Sequence, residues 1–240
     1  MLTIVGNGPS RQGVDLNNIG EWWGCNAVYR DGYHPDILWA GDIPIQSEIV
    51  SSQYYKHGKV GVCGEWLPFE MDMLYLMQQG FVQSGQEQRT FIDDSDTHFV
   101  VQGNDDHVDF VGFHKDYIDN FITYDDVRLR NLFTGMGALG YAMSTGKKEI
   151  TLLGFDALES GNYDNIYSGS SCYPTKYTEE SRVIRAQQSQ FIALLEEFKE
   201  VDVYFKNPLD KTNLIEYNEL YYYENSERWI LGQGFELGSL

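Results

Sequence analysis

Short β-branched and apolar runs recur along the first forty residues, each ended by turn residues. Leu2–Val5 predicts a first strand, Trp22–Cys25 (WWGC) a second and Asp36–Ala40 (DILWA) a third. The third is preceded by His34-Pro35 and ended by Gly41-Asp42. Short runs bounded in this way suit buried strands. Between strands the pattern turns helical. Residues from about Pro44 to Tyr55 fit a helix, and Pro68–Gln79 (PFEMDMLYLMQQ) fits another. Pro68 falls near its first turn, where a missing N–H is harmless.

The middle of the chain is polar and punctuated. QSGQEQRTFIDDSDTHFVVQGNDDHVDFVGF holds two β-like runs, His98–Gln102 and Val108–Phe113, and reads as an excursion with a strand pair. The pattern then sharpens. NLFTGMGALGYAMSTG predicts a turn entering a helix with small residues on one face, and KKEITLLGFD an interior strand. A loop rich in Gly, Ser, Asn and Tyr runs from about Ala157 to Thr178. Glu179–Glu200 is helical in pattern, with Val183, Ile184, Phe191, Leu194, Leu195 and Phe198 near helical spacing. Val201–Phe205 (VDVYF) is a further strand, and the aromatic tail beyond Asn213 is expected to pack back on the domain. Strands alternating with helices predict an α/β fold with a mostly parallel sheet covered on both faces. The length suits a single domain over residues 1–240, with 157–178 as a lid loop.

In parallel sheets ligands bind beyond the carboxyl ends of the strands. The first strand runs into Gly6-Asn7-Gly8-Pro9-Ser10. Such a turn can present amides to an anion, with Asn7 adding a side-chain donor and acceptor, or it can be a tight strand-to-helix turn that binds nothing. It is neither the dinucleotide fingerprint nor a Walker loop. Asn26 follows the second strand, Gly41 and Asp42 the third, and Gly154 and Asp156 the later one; Thr134 and Gly135 open the small-residue helix. Each is ordinary turn chemistry alone. A parallel sheet would bring them to one pocket. The loop after Asp156 is long for a compact domain and carries Tyr163, Tyr167, Tyr173 and Tyr177. It reads as a lid whose phenols donate to a phosphate leaving group, or as a surface loop with incidental aromatics.

Composition narrows the partners. A formal net charge of -19, from 17 basic and 36 acidic residues, argues against nucleic acid and anionic membranes, since no Lys or Arg run offsets it. An anionic ligand would have to be held by amides, hydroxyls and a few basic groups. No apolar run approaches the roughly 18 residues of a membrane span. The N-terminus has no basic region before an apolar one and reads as a mature start. Cys25, Cys63 and Cys172 are far apart and form no CxxC pattern, which suits reduced thiols in a cytoplasmic protein and no metal site. DDSD (Asp93–Asp96) and NDDH (Asn104–His107) look like acidic metal motifs but lie in the polar excursion, where a solvated loop is the better reading.

TIVGNGPS, GCNAVY and FTGMGALGYAMSTGKKEITLLGFD together resemble the bacterial lipooligosaccharide sialyltransferases. The match covers the N-terminal 30 residues and about 25 near position 145. The resemblance implies a Rossmann-like domain with a flexible lid over a CMP-sugar donor, no required cofactor and a glycan acceptor. It implies inverting transfer, and a homo-oligomer, since the family often forms tetramers. By position, Asn7, Gly8 and Ser10 would lie in the donor pocket, Asn26 by the sugar or phosphate, and Thr134-Gly135 in place of the family's Ser-Gly. Asp42 joins this donor set from the strand-end pattern. Gly154 and Asp156 would flank the nucleotide, and Tyr163 and Tyr167 would be the lid tyrosines that assist phosphate departure. The family's histidine base has no counterpart between Ala157 and Glu200; all five histidines come earlier. His34, His107, Glu179 or another carboxylate is left to serve. Two other readings stay open: a pterin diphosphokinase-like phosphotransferase sharing the Gly-x-Gly-Pro-Ser turn, and an inactive nucleotide- or glycan-binding module.

Overall fold

A computed structural model describes residues 1–62, 67–69, 97–104, 107–114, 120–122, 127–129, 132–159, 164–175, 180–209, 211–212, 214–217 and 220–222. Most of the helix expected over 68–79, the Asp93–Asp96 run, Tyr163, Tyr177 and Glu179 lie outside the described residues. In chain order the strands are β1 (Leu2–Val5), β2 (Trp22–Cys25), β3 (Ile37–Ala40), β4 (Lys59–Val62), β5 (Leu67–Phe69) and β6 (Thr97–Asn104). They continue as β7 (His107–His114), β8 (Phe121–Ile122), β9 (Glu149–Leu153), β10 (Asp202–Lys206), β11 (Ile215–Tyr217) and β12 (Leu220–Tyr222). The α-helices are α1 (Ile43–Ser51), α2 (Thr134–Ser144), α3 (Asp156–Glu159) and α4 (Glu180–Glu197).

Among the described residues nine strands form one sheet, in the order β11-β12-β10-β9-β1-β2-β3-β4-β8. Every neighbouring pair from β10 to β8 is parallel; β12 runs antiparallel to β10 and to β11. The fold is α/β, with a mostly parallel sheet. From β1 the chain steps outward through β2, β3 and β4, then returns to place β9 on the other side of β1. The order therefore reverses at β1, and a crevice opens beyond its carboxyl end.

Alternation along the strands builds two cores. Leu2, Ile4, Trp23, Trp39, Ile150 and Leu152 face one, where Met136 and Leu139 of α2 and Phe191 and Leu194 of α4 pack. Val5, Trp22, Leu38, Ala40 and Leu153 face the other, with Ile45 and Ile49 of α1. Trp22 and Trp23 are thus packing residues on opposite faces, 5% and 4% exposed. The glycines of α2 let it settle deeply: a Cβ on Gly140 would lie 2.5 Å from a Leu129 methyl and 3.1 Å from one of Leu194.

Two sequence expectations change. The helix expected from Pro68 begins as strand instead: β5 pairs antiparallel with β6, Leu67 opposite Val101. Pairing sets residues 67–69, and the rest of the expected helix lies outside the described residues. The helix expected to Tyr55 stops at Ser51; Gln53 adopts φ 58°, and a 3-10 turn follows at Tyr54–Lys56. The tail packs back as expected where it is described: β11 and β12 extend the sheet, with Tyr221 buried. The expected strand pair in the excursion is present as β6 and β7, with Asn104 opposite His107 across the NDDH stretch. No helix among the described residues is long and apolar enough to cross a membrane.

Candidate functional site

At the end of β1 the chain turns at once, and the amides of Gly6, Gly8 and Ser10 are committed to protein. Gly6 N donates to Leu153 O at 2.8 Å, Gly8 N to Gly154 O at 2.9 Å and Ser10 N to Asp156 Oδ2 at 2.9 Å. The turn is stitched to the loop that leaves β9. Its glycines serve that contact: a Cβ on Gly6 would lie 2.4 Å from Gly154 O, and one on Gly8 2.2 Å from Asp156 Oδ2. Gly154 answers with φ +76°, a left-handed conformation that side chains resist. Pro9–Arg11 forms a 3-10 turn, not an α-helix. An anion would therefore not be cradled by these three amides, and of the two readings of the turn the tight strand-to-helix connection describes them.

The opposite wall comes from β2, β3 and α2. Asn26 sits at φ 52°, and its Oδ1 faces Gly41 N at 3.4 Å. Asparagine tolerates this left-handed position better than most residues. Gly41 lies against Thr134: a Cβ there would be 2.2 Å from Thr134 Oγ1. α2 begins at that point with no side-chain cap from Phe133, whose own N–H donates to Gln190 Oε1 at 2.9 Å. The first-turn amides of an α-helix have no partner within the helix.

These walls enclose a cleft of about 720 Å³ beyond the carboxyl ends of β1, β2, β3 and β9. Asn7, Gly8, Asn26, Asp42, Thr134, Gly135, Gly154 and Asp156 all line it. Ser10 does not; it stands behind Asp156. Tyr167 does not reach the lining either, and Tyr163 lies outside the described residues. Residues that strand-end reasoning passed over also face the cleft, among them Phe133, Phe155, Asp164, Asn165 and Gln187. Gln187 had no signal beyond its place on an amphipathic helix. Asn7 Oδ1 is buried and has no hydrogen-bond partner among the described residues.

The loop over the cleft is docked. Ile166 N donates to Asn7 O at 3.0 Å. Arg30 donates through Nε to Glu48 Oε1 at 2.7 Å, through Nη1 to Ser170 Oγ at 2.9 Å and through Nη2 to Ser171 O at 2.9 Å. Its guanidinium lies 5.8 Å from the Tyr167 ring and 5.6 Å from that of Tyr173, a cleft-lining residue. Arg11, 4% exposed, donates to Asp31 Oδ2 at 3.0 Å and to the Tyr167 hydroxyl. The Tyr167 hydroxyl itself donates to Asp31 Oδ2 at 2.7 Å. Burial first, then Asp31, pushes that phenol well above its ordinary range. In this arrangement Tyr167 fastens the loop and offers nothing to the cleft.

Two carboxyls in the cleft are held above their ordinary value. Protein crowds Asp42 from the sides, although it meets the water of the cleft, and this desolvation raises it. Burial raises Asp156 as well; Ser10 hydrogen bonds oppose that and Asp164 adds to it. A carboxyl whose folded pKa exceeds its unfolded one favours the fold most below the unfolded pKa, and that contribution is lost as pH rises through the folded value. Glu48 runs the other way. The Arg30 hydrogen bond outweighs burial, and Tyr29 helps, so Glu48 contributes above its ordinary pKa and loses that contribution as pH falls. Asp42→Asn should therefore melt higher than the wild type at neutral pH, with the gap closing only as pH falls below the ordinary aspartate value, by about pH 3, where the wild-type carboxyl is protonated in both the folded and the unfolded chain. Thermal melts across pH check this; a gap that ignores pH would remove the carboxyl as its cause.

No family model matches the chain, and no curated protein matches it. Solved structures that match include the sialyltransferase CST-II in complex with a trisaccharide acceptor and CMP, at TM-score 0.40 and 14% identity, over 85% of this chain and 80% of that one. Another is CstII from Campylobacter jejuni in complex with CMP-3FNeuAc, at TM-score 0.40 and 13% identity, over 85% and 79%. Similarity at this level assigns no activity to the chain.

Proposed function

We propose that the chain is a glycosyltransferase that takes a CMP-sugar into this cleft and passes the sugar to a glycan acceptor with inversion. One observation carries the reading. The cleft at the point of strand-order reversal gathers Asn7, Asn26, Thr134-Gly135 and Gly154–Asp156, the positions on which the sequence resembles lipooligosaccharide sialyltransferases. The nucleotide lies between the turn after β1 and the loop after β9. Its phosphate meets the start of α2 and the Thr134 hydroxyl, since the Gly6, Gly8 and Ser10 amides of the turn are engaged with protein. The unpartnered Asn7 Oδ1 then takes its hydrogen bond from the ligand. Positioning of donor and acceptor supplies much of the rate, and Tyr163 is the lid phenol assigned to the departing phosphate.

Calorimetric titration with CMP, CDP, UDP, GDP and ATP, with and without magnesium, tests the reading. Selective binding of CMP without metal is expected. Preference for ATP with magnesium would favour the pterin-kinase-like alternative, and binding of none would end the donor reading. Asn7→Ala should weaken CMP about tenfold, the loss of one ligand hydrogen bond. Unchanged affinity in that folded variant would remove Asn7 from the site.

A further inference from the structure

We infer that Asp42 is the catalytic base, the group that takes the proton of the attacking hydroxyl in the cleft. The inference rests on the CMP-sugar reading. In the step, the hydroxyl oxygen of the acceptor forms a bond to the donor's anomeric carbon. The bond from that carbon to the phosphate oxygen breaks, and its electron pair leaves with CMP. The hydroxyl proton passes to a carboxylate oxygen of Asp42. Water in place of the acceptor gives donor hydrolysis by the same accounting.

The placement of Asp42 is unusual for its residue type. It occupies the N-cap position of α1, and its carbonyl accepts from Gln46 N at 3.0 Å. An aspartate there ordinarily turns its carboxylate back onto the first-turn amides. Here Pro44 removes the second of those N–H groups, and the Asp42 carboxylate makes no hydrogen bond or ion pair with any described residue. It lines the cleft instead, one residue from Gly41, which touches Thr134 at the start of α2. A proton acceptor thus stands beside the place assigned to the donor phosphate.

Other candidates are less well placed. Asp156 is 1% exposed, and its Oδ2 is occupied by Ser10 N. His34 stacks on Tyr54, ring centroids 6.3 Å and planes 11° apart, and neither it nor His57 lines the cleft. His98, His107 and His114 stand on β6 and β7, and none of them is among the described residues that line the cleft. Among the described residues, the titratable groups that share the cleft with Asp42 are Asp156, Asp164, Cys25, Cys172 and Tyr173. Asp42 is exposed to the water of the cleft, and protein on its flanks raises its carboxyl above the ordinary value, the direction that makes it a better proton acceptor.

The test uses the full chain, CMP as binding probe and CMP-N-acetylneuraminate as donor, with hydrolysis as the readout. Asp42→Asn should bind CMP within about threefold of the wild type and hydrolyse the donor at least about 100-fold more slowly, the usual span for losing a general base. Asp42→Ala should be equally slow and should regain activity with added formate, a small carboxylate that a merely structural defect would not notice. Intact CMP binding with undiminished turnover in Asp42→Asn overturns the assignment. So does loss of CMP binding in that variant, which would make Asp42 a donor-holding group, and so does failure of formate rescue. A wild-type protein that binds CMP without hydrolysing the donor also overturns the base and leaves the nucleotide site standing. A wild-type protein that binds no CMP removes the donor reading, and the base with it.

Discussion

Gly6→Ala is expected to cost about 3 kcal/mol, the upper end for overpacking a filled site. The added Cβ would lie 2.4 Å from Gly154 O, 3.1 Å from its carbonyl carbon and 3.3 Å from the Phe155 ring. Two of these atoms are backbone, so no rotamer change relieves the clash. Gly154 itself is held at φ +76° and donates no space, and Gly6 N must keep its 2.8 Å bond to Leu153 O. The loops would have to separate. For a chain of this length the loss corresponds to a fall in Tm of roughly 6–12 °C. Urea unfolding followed by circular dichroism measures it. Gly58→Ala is the control: its Cβ would meet only Tyr54 atoms at 3.4 Å or beyond, and stability should stay within about 0.5 kcal/mol. Equal stability of the two variants would mean that the turn after β1 and the loop after β9 do not meet as described. CMP binding should fail with Gly6→Ala, because both sides of the nucleotide cleft move.

Arg30→Ala is expected to release the loop over the cleft without unfolding the sheet. The substitution removes the ion pair with Glu48, two hydrogen bonds to Ser170 and Ser171, and the guanidinium that lies over Tyr167 and Tyr173. Arg30 and Glu48 side chains are 19% and 27% exposed, so part of the ion pair is solvated and its worth is reduced. The bonds to the loop and the ring contacts together should hold it by about 2–3 kcal/mol. Amide hydrogen exchange over residues 166–173 should accelerate by roughly 30- to 150-fold, while exchange in β1 and β9 stays slow. CMP should dissociate faster, since Asn165 and Tyr173 wall the cleft from this loop. Arg185→Ala, which among the described residues loses only a bond from Nε to Ser181 O on an exposed helix face, should change neither rate. Unchanged protection of the loop in Arg30→Ala would assign the fastening to the contacts of Arg11, Asp31 and Tyr167 and to the Ile166 N–Asn7 O bond.

Much of this arrangement was legible from local pattern. Short buried runs alternating with helical periodicity determined the α/β class, because each strand buried on both faces must be covered by helices. The same logic made strand ends informative. In a parallel sheet every carboxyl end lies on one edge, so Asn7, Asn26, Asp42 and Gly154 become spatial neighbours once strand order is set. Tertiary structure decided what the pattern could not carry. Arg11 meets Tyr167 across 156 positions, and Arg30 meets Ser170 across 140, with no periodicity to announce either contact. Those contacts turn a loop that read as a catalytic lid into one whose Tyr167 fastens it shut. The glycines of GNGPS looked made for an anion, yet only the approach of the Gly154 loop shows that their amides are taken. Whether Asp42 caps its helix or faces the cleft is likewise a matter of side-chain direction. Residue type and spacing determine which groups reach the edge of the sheet; the packing of distant loops decides which of them remain available for a ligand.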